Sequence, residues 1–237
     1  MHRIQIELAP DPTTRLAVID TDSGFVTVLS KRAEAAGWLL RTSGGAVPPD
    51  QLVAMKLNAL LVDPAVLGDE AWRYLDRVCS LLPDLGVVVC TGRSTVAQRV
   101  RGLRLGVDDW ITKPAHPEEA IARIEAVSRR RRRARREFEL LHLLAAAEGR
   151  VLEREAIYQR VWGYAMAHGD RSVDVFVRKL RQKLKKHSPG WRYIHTHFGI
   201  GYRFDPEVAA GGTPEAAAGA VKAATGSQAV PSSLTVA

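Results

Sequence analysis

Asp63, Thr91 and Lys113 are the residues whose types could do chemistry together in this chain. A carboxylate facing a hydroxyl and an ammonium suits an acyl-phosphate. Asp63 would be the nucleophile, Thr91 and Lys113 would hold phosphoryl oxygens, and nearby acids, Asp20 first among them, would hold a Mg²⁺. Taken singly, each is most often a polar group that ends a strand. The reading rests on their joint placement, and therefore on the elements that must bring them together.

Those elements are five apolar runs alternating with helical patterns. Strands are expected over 16–19, 38–41, 59–62, 87–90 and 110–112, with helices near 23–36, 50–56, 70–81, 94–104 and 117–128. Five strand–helix units imply a doubly wound, five-stranded parallel sheet with helices on both faces. In such a sheet ligands bind at the carboxyl ends of the strands. Asp20 and Asp22 follow the first strand, Asp63 the third, Thr91 the fourth, and Lys113-Pro114 the fifth.

A second constellation lies downstream. In 170–186, Val173, Val177, Leu180 and Leu184 fall on one helical stripe, and Arg171, Val175, Arg178, Lys179, Gln182 and Lys186 on the opposite side. An ordinary amphipathic helix with a solvated basic face would look the same. Its neighbours decide. A helical stretch over 150–163 precedes it, and two short strands around Gly199-Ile200-Gly201 follow. Helix, loop, basic helix and hairpin is the order of a winged helix-turn-helix, whose basic helix enters the major groove of DNA.

Charge agrees. Residues 1–128 hold 14 Lys+Arg against 16 Asp+Glu, whereas 129–204 hold 19 against 7. A basic second half beside a near-neutral first points to a polyanion partner for the second alone. No apolar run approaches a membrane span, and the start lacks a signal peptide's apolar core. A cytoplasmic protein without a membrane partner is expected, with Cys79 and Cys90 as buried free thiols. With no P-loop, nucleophile elbow or zinc spacing, a metabolic enzyme has little behind it.

The run R-V-W-G, then R-S-V-D-V-F-V-R-K-L-R-Q-K-L, then G-I-G-Y-R-F resembles the effector domain of OmpR/PhoB-type response regulators, and 99–114 resembles the end of their receiver domain. The resemblance implies a flavodoxin-like receiver followed by a small winged-helix domain, acting on transcription as a homodimer. Double-stranded DNA, a sensor histidine kinase and RNA polymerase are the partners it implies. It puts Trp110 at the family's switch position, and Arg99, Asp108, Asp109, Glu119 and Arg123 on its dimer face. On DNA, Val175 would touch a thymine methyl or sugar, and Lys179 and Gln182 would face base edges. Arg171, Ser172, Arg178, Arg181, Lys183 and Trp162 would set the register on the backbone.

The chain departs from the family in four respects. Thr21 stands where receivers carry a second acid, and a neutral hydroxyl is a poor Mg²⁺ ligand, so weak metal binding and little phosphorylation are expected. The loop after Asp63 lacks the family's usual proline. Phe176 and Phe198 replace a histidine and a wing arginine. No room remains for the four-stranded sheet that normally precedes the effector helices. The expected organisation is a leader over 1–14, a receiver over 15–128, an arginine-rich linker over 129–136, a winged helix over 137–204 and a disordered tail over 205–237. No Gly or Pro interrupts 118–147, which allows one helix from Pro117 through the linker. Two alternatives stay open: a conventional phosphorylation-switched regulator, and a receiver protein that has lost sequence-specific DNA binding.

Overall fold

The computed structural model describes residues 13–209, so the leader through residue 12 and the tail beyond 209 lie outside the described residues. The chain divides into two compact units between Arg135 and Arg136.

In the first unit, strands β1 (Arg15–Ile19), β2 (Leu39–Ser43), β3 (Ala59–Val62), β4 (Gly86–Thr91) and β5 (Asp109–Thr112) form one parallel sheet in the order β2-β1-β3-β4-β5. Helices α1 (Ser23–Ala35), α2 (Pro49–Ala54), α3 (Ala71–Leu81) and α4 (Val96–Arg104) connect them, and a 3-10 turn covers Pro64–Glu70. Side chains alternate across a strand, so neighbouring residues enter different cores. Leu16, Val18, Leu61, Val88 and Cys90 pack with α1 on one face. Ala17, Ile19, Leu60, Val62, Val87 and Val89 pack with Leu52 and Leu75 on the other. Burial on both faces is why these strands read as apolar runs.

The expected leader is one residue pair too long at its end. Thr14 is buried, and its carbonyl accepts a 2.8 Å hydrogen bond from the Leu39 amide, which extends the β1–β2 ladder.

Helix α5 runs from Pro117 to Ala146, so the arginine run is helical. Ala120, Ile124 and Val127 bury against the first core, and Leu140 and Leu144 belong to the second unit's core. Between them the apolar stripe lapses, and Arg129, Arg130 and Arg133 are exposed. This single helix fills the chain between β5 and Gly149 and leaves no strands there.

The second unit continues with β6 (Leu152–Glu153), α6 (Arg154–Trp162), α7 (Ser172–His187), β7 (Trp191–His197) and β8 (Gly201–Val208). The helix expected over 150–163 begins later, because Leu152 and Glu153 pair with Tyr202 and Gly201 as a third strand. A two-residue strand carries no alternation for a sequence to reveal. The tail boundary at 205 is also corrected. Strand β8 reaches Val208, paired with Trp191, because the ladder continues past Phe204 after an irregularity between Arg192 and Ile194. Leu140, Ile157, Tyr158, Val173, Val177, Leu180 and Ile194 form the core. Among the described residues no helix is long and apolar enough to cross a membrane.

Candidate functional site

Strand ends assemble the first constellation. Asp20 follows β1, Asp63 follows β3, and Lys113 follows β5. The Lys113 ammonium lies 2.8 Å from Asp20 Oδ1, 2.7 Å from Asp20 Oδ2 and 3.0 Å from Asp63 Oδ2. Burial works against the lysine's charge, but hydrogen bonds to Asp20 and Asp63, together with their charges, outweigh it. The Lys113 pKa is held above the ordinary lysine range. Asp63 Oδ1 accepts from the Ala65 amide at 3.0 Å and caps the 3-10 turn. Thr91 ends β4 beside them, and its carbonyl accepts from the Lys113 amide at 2.7 Å. Asp20, Asp63, Thr91 and Lys113 therefore come together.

The neighbouring acid is committed elsewhere. Asp22 caps α1, with Oδ1 accepting from the Phe25 amide at 3.0 Å, while its own amide donates to Asp20 Oδ1 at 2.9 Å. Thr21 is exposed. Among the described residues no three acids, histidines or cysteines gather as a metal site. Mg²⁺ demands near-octahedral oxygen ligation. Lys113 donates to Asp20 Oδ1, and Asp22 is used as a cap. Asp20 Oδ2 is the one buried carboxylate oxygen of the pair left open, without a hydrogen-bond partner, and a single such donor fits that ion poorly. Cys90, just below the site, is fully buried, and burial raises its thiol pKa to about 12 even with Lys113 nearby. Cys79 is only half-buried, contrary to expectation, with its thiol raised to about 11, chiefly by burial.

Trp110 in β5 is tethered. Its indole N–H donates to Ser94 Oγ at 3.2 Å, and its ring stacks 6.4 Å from Trp72. A Cβ on Gly102 of α4 would lie 2.6 Å from that ring, so the indole fits only because residue 102 is glycine. Arg99 donates to the Ser94 carbonyl at 2.8 Å.

Arg123 pairs with Asp109 at 3.0 Å and Glu119 at 2.8 Å, which places these three on one surface of β5 and α5. Hydrogen bonds to Asp109 and then Glu119 raise the Arg123 pKa. Asp108 is drawn away from that group. It accepts from the Val87 amide at 2.9 Å and from Arg131, whose guanidinium also donates to the Pro83 carbonyl at 2.8 Å. Arg131 belongs to the arginine run, yet it is a fixed strap and not part of a solvated linker.

In the second unit, Val173, Val177 and Leu180 of α7 are buried, while Arg171, Val175, Arg178, Gln182 and Lys186 are exposed. Asp170 sits one residue before the helix cap and accepts from the Ser172 amide at 2.6 Å. Lys179 is half-buried, with its ammonium 5.0 Å from the Phe176 ring. Two residues expected on DNA phosphates have other partners. Arg181 turns inward and donates to the Ile194 carbonyl at 2.8 Å and to Thr196 Oγ1 at 2.8 Å, binding α7 to β7. Burial lowers its pKa. Lys183 pairs with Glu137 of α5. Trp162 is half-buried, stacked 4.9 Å from Tyr158 and edge-on to Phe176 at 5.2 Å.

A clamp joins the start of α7 to the hairpin. Asp174 Oδ1 accepts from Arg154 Nε at 3.0 Å and from the Tyr202 hydroxyl at 2.5 Å. The sequence holds one trace of it, since Asp174 is the single acid in a basic helix. Its partners, 20 and 28 residues away, follow no local rule.

A family model described as "Transcriptional regulatory protein, C terminal" matches residues 129–204. The transcriptional regulatory protein PrrA of Mycobacterium leprae is 31% identical over 221 residues, covering 79% of this chain and 94% of that protein. The phosphate regulon transcriptional regulatory protein PhoB of Escherichia coli is 36% identical over 173 residues, covering 60% and 74%. Among solved structures, the response regulator DrrB, a Thermotoga maritima OmpR/PhoB homolog, aligns over 81% of this chain and 99% of its own with a TM-score of 0.43 and 21% identity.

Proposed function

The chain belongs to the OmpR/PhoB-type response regulators, and on that premise we propose that it controls transcription as a DNA-bound, receiver-mediated homodimer with little aspartyl phosphorylation. The observation that carries the DNA reading is α7. Its aliphatic stripe is committed to the core, and Arg171, Arg178, Gln182 and Lys186 are left facing solvent around Val175. That arrangement suits a helix lying in the major groove, with cations on phosphates and a small apolar group on a thymine methyl.

The weak-phosphorylation reading rests on the acids. The Mg²⁺ of an acyl-phosphate site offsets the phosphoryl group's negative charge. Here Asp20 shares Lys113 with Asp63, Asp22 caps a helix, and Thr21 brings no charge. Mg²⁺ binding is weak on this reading, and a sensor histidine kinase is a minor input. The dimer would form through the surface that carries Arg123, Asp109 and Glu119, together with Arg99 of α4, and would act on RNA polymerase from its DNA site.

Intact-protein mass after incubation with a small-molecule acyl-phosphate and Mg²⁺ tests this. Wild type should remain unlabelled, and Thr21→Asp should gain one phosphoryl group that Asp63→Ala removes. Stoichiometric labelling of wild type, with tighter DNA binding, would establish a conventional phospho-switch instead. Sedimentation of Arg123→Glu should show a shift toward monomer; an unchanged dimer would place the interface elsewhere.

A further inference from the structure

We propose that the wing tip is an apolar wedge, with Phe198 flanked by Ile200, that enters between base pairs from the minor groove and bends the duplex. The inference rests on the reading that this unit binds DNA.

Three observations lead there. Phe198 is 90% exposed and Ile200 53% exposed, whereas Phe176 and Phe204 of the same unit pack against its core. Leaving both apolar groups at one tip gains nothing for the fold. Second, the tip from His197 to Gly201 contains no Lys or Arg, and Arg203 below it is paired with Asp205 at 3.0 Å. Apart from His197 at its base, which carries no permanent charge, it brings no cation of the kind that a narrow, electronegative minor groove attracts. An exposed aromatic beside a β-branched residue is the kind of group that partly unstacks a base step and kinks DNA.

Third, the tip is held firmly. The Ile200 amide donates to the His197 carbonyl at 3.1 Å, and the Arg154 amide to the Ile200 carbonyl at 3.3 Å. The backbone at Gly201 lies so close to β6 that a Cβ there would stand 1.9 Å from the Leu152 carbonyl oxygen. From Arg154 and Tyr202 the clamp reaches Asp174, in the first turn of α7 and one residue before exposed Val175. The wedge is thus fastened to the N-terminal end of the helix whose basic face is proposed to lie in the major groove. A tip already ordered in the free protein loses little freedom on insertion. The basic charge of residues 129–204 favours a polyanion over an apolar protein surface.

A wedge selects steps that open easily. Pyrimidine–purine steps such as TpA are the most readily unstacked, whereas A-tracts are stiff. The wing should therefore favour a TpA step where a cationic wing would favour an A-tract.

The test uses the full chain and two duplexes of equal length. One alternates T and A with 2-aminopurine at several TpA steps, and the other is an uninterrupted A-tract; both carry end labels for energy transfer. Wild type should raise 2-aminopurine fluorescence and bring the ends of the alternating duplex together. Phe198→Ala should bind that duplex about tenfold more weakly, the loss of one base–aromatic stack, and give neither signal at saturation. Phe198→Arg should shift preference to the A-tract and steepen the salt dependence by roughly one unit of slope. Wild type saturating the alternating duplex without either signal, or Phe198→Ala giving both, overturns the wedge while leaving DNA binding intact. Failure of wild type to bind either duplex overturns the DNA-binding reading and the wedge together.

Discussion

Arg130 and Arg131 are neighbours in a run of five identical residues, and the fold treats them oppositely. Arg130 is exposed. Arg131 reaches Asp108 at 3.0 Å and the Pro83 and Gly106 carbonyls at 2.8 and 3.4 Å, tying α5 to the loops before β4 and β5. Removing it leaves a largely buried carboxylate with the Val87 amide as its remaining partner here. Hydrogen bonds to charged groups contribute about 1.5–3 kcal/mol each when partly buried, so Arg131→Ala should lower stability by at least the bottom of that range. Arg130→Ala should change it by less than about 0.5 kcal/mol, as for surface substitutions generally. Urea unfolding of the two variants decides the matter, and equal midpoints would show that the strap adds no stability.

At the scale of elements, α7 is set by how it starts and what it packs on. Its first residues are ordered by Asp170, which accepts from the Ser172 amide and from the Tyr158 hydroxyl. Burial pushes the Asp170 carboxyl up, but its hydrogen bonds with Ser172 and then Tyr158 prevail, and its pKa is lowered. A carboxyl whose folded pKa is depressed adds stability that is present above the ordinary carboxylate pKa and is lost as pH falls through the folded one. Asp170→Ala should therefore cost about 1 kcal/mol at neutral pH, the usual loss of a helix-start acceptor. The difference from wild type should shrink as pH drops below about 4. A difference that stays constant into strong acid would show that Asp170 acts by packing and not by charge. Further along the helix, Arg181 is held on β7 by the Ile194 carbonyl and the Thr196 hydroxyl.

For the whole molecule, charge is distributed so that one half of the chain meets a polyanion. Binding should weaken linearly in log–log terms as salt rises, with a slope of roughly −0.9 per neutralised phosphate. Arg178→Ala and Arg171→Ala should each flatten that slope by about one. Arg181→Ala should leave the slope unchanged and lower the stability of the effector unit, because its guanidinium lies against Ile194 and Thr196. Lys179→Ala should relax base preference at one position without a matching change in slope. A flattened slope in Arg181→Ala at unchanged stability would return that residue to the phosphates.

Periodicity alone located the five strands, the helices between them and the two faces of α7, because burial on both sides of a parallel sheet or on one side of a helix imposes a repeat that local sequence must carry. It also put Asp20, Asp63, Thr91 and Lys113 at strand ends, where a doubly wound sheet must converge. Long-range contacts carry no such repeat. Strand β6 is two residues long and exists only because β8 lies beside it. Asp22 follows Asp20 closely enough to look like a second ligand, and only the start of α1 shows it to be a cap. Arg181 has the same side chain as Arg178, and the position of β7 alone turns one inward. The sequence by itself determined which elements form and which faces are apolar, since these depend on neighbours in the chain. Which charges remain available for DNA, and which are consumed in holding the fold, was decided by partners brought close in space.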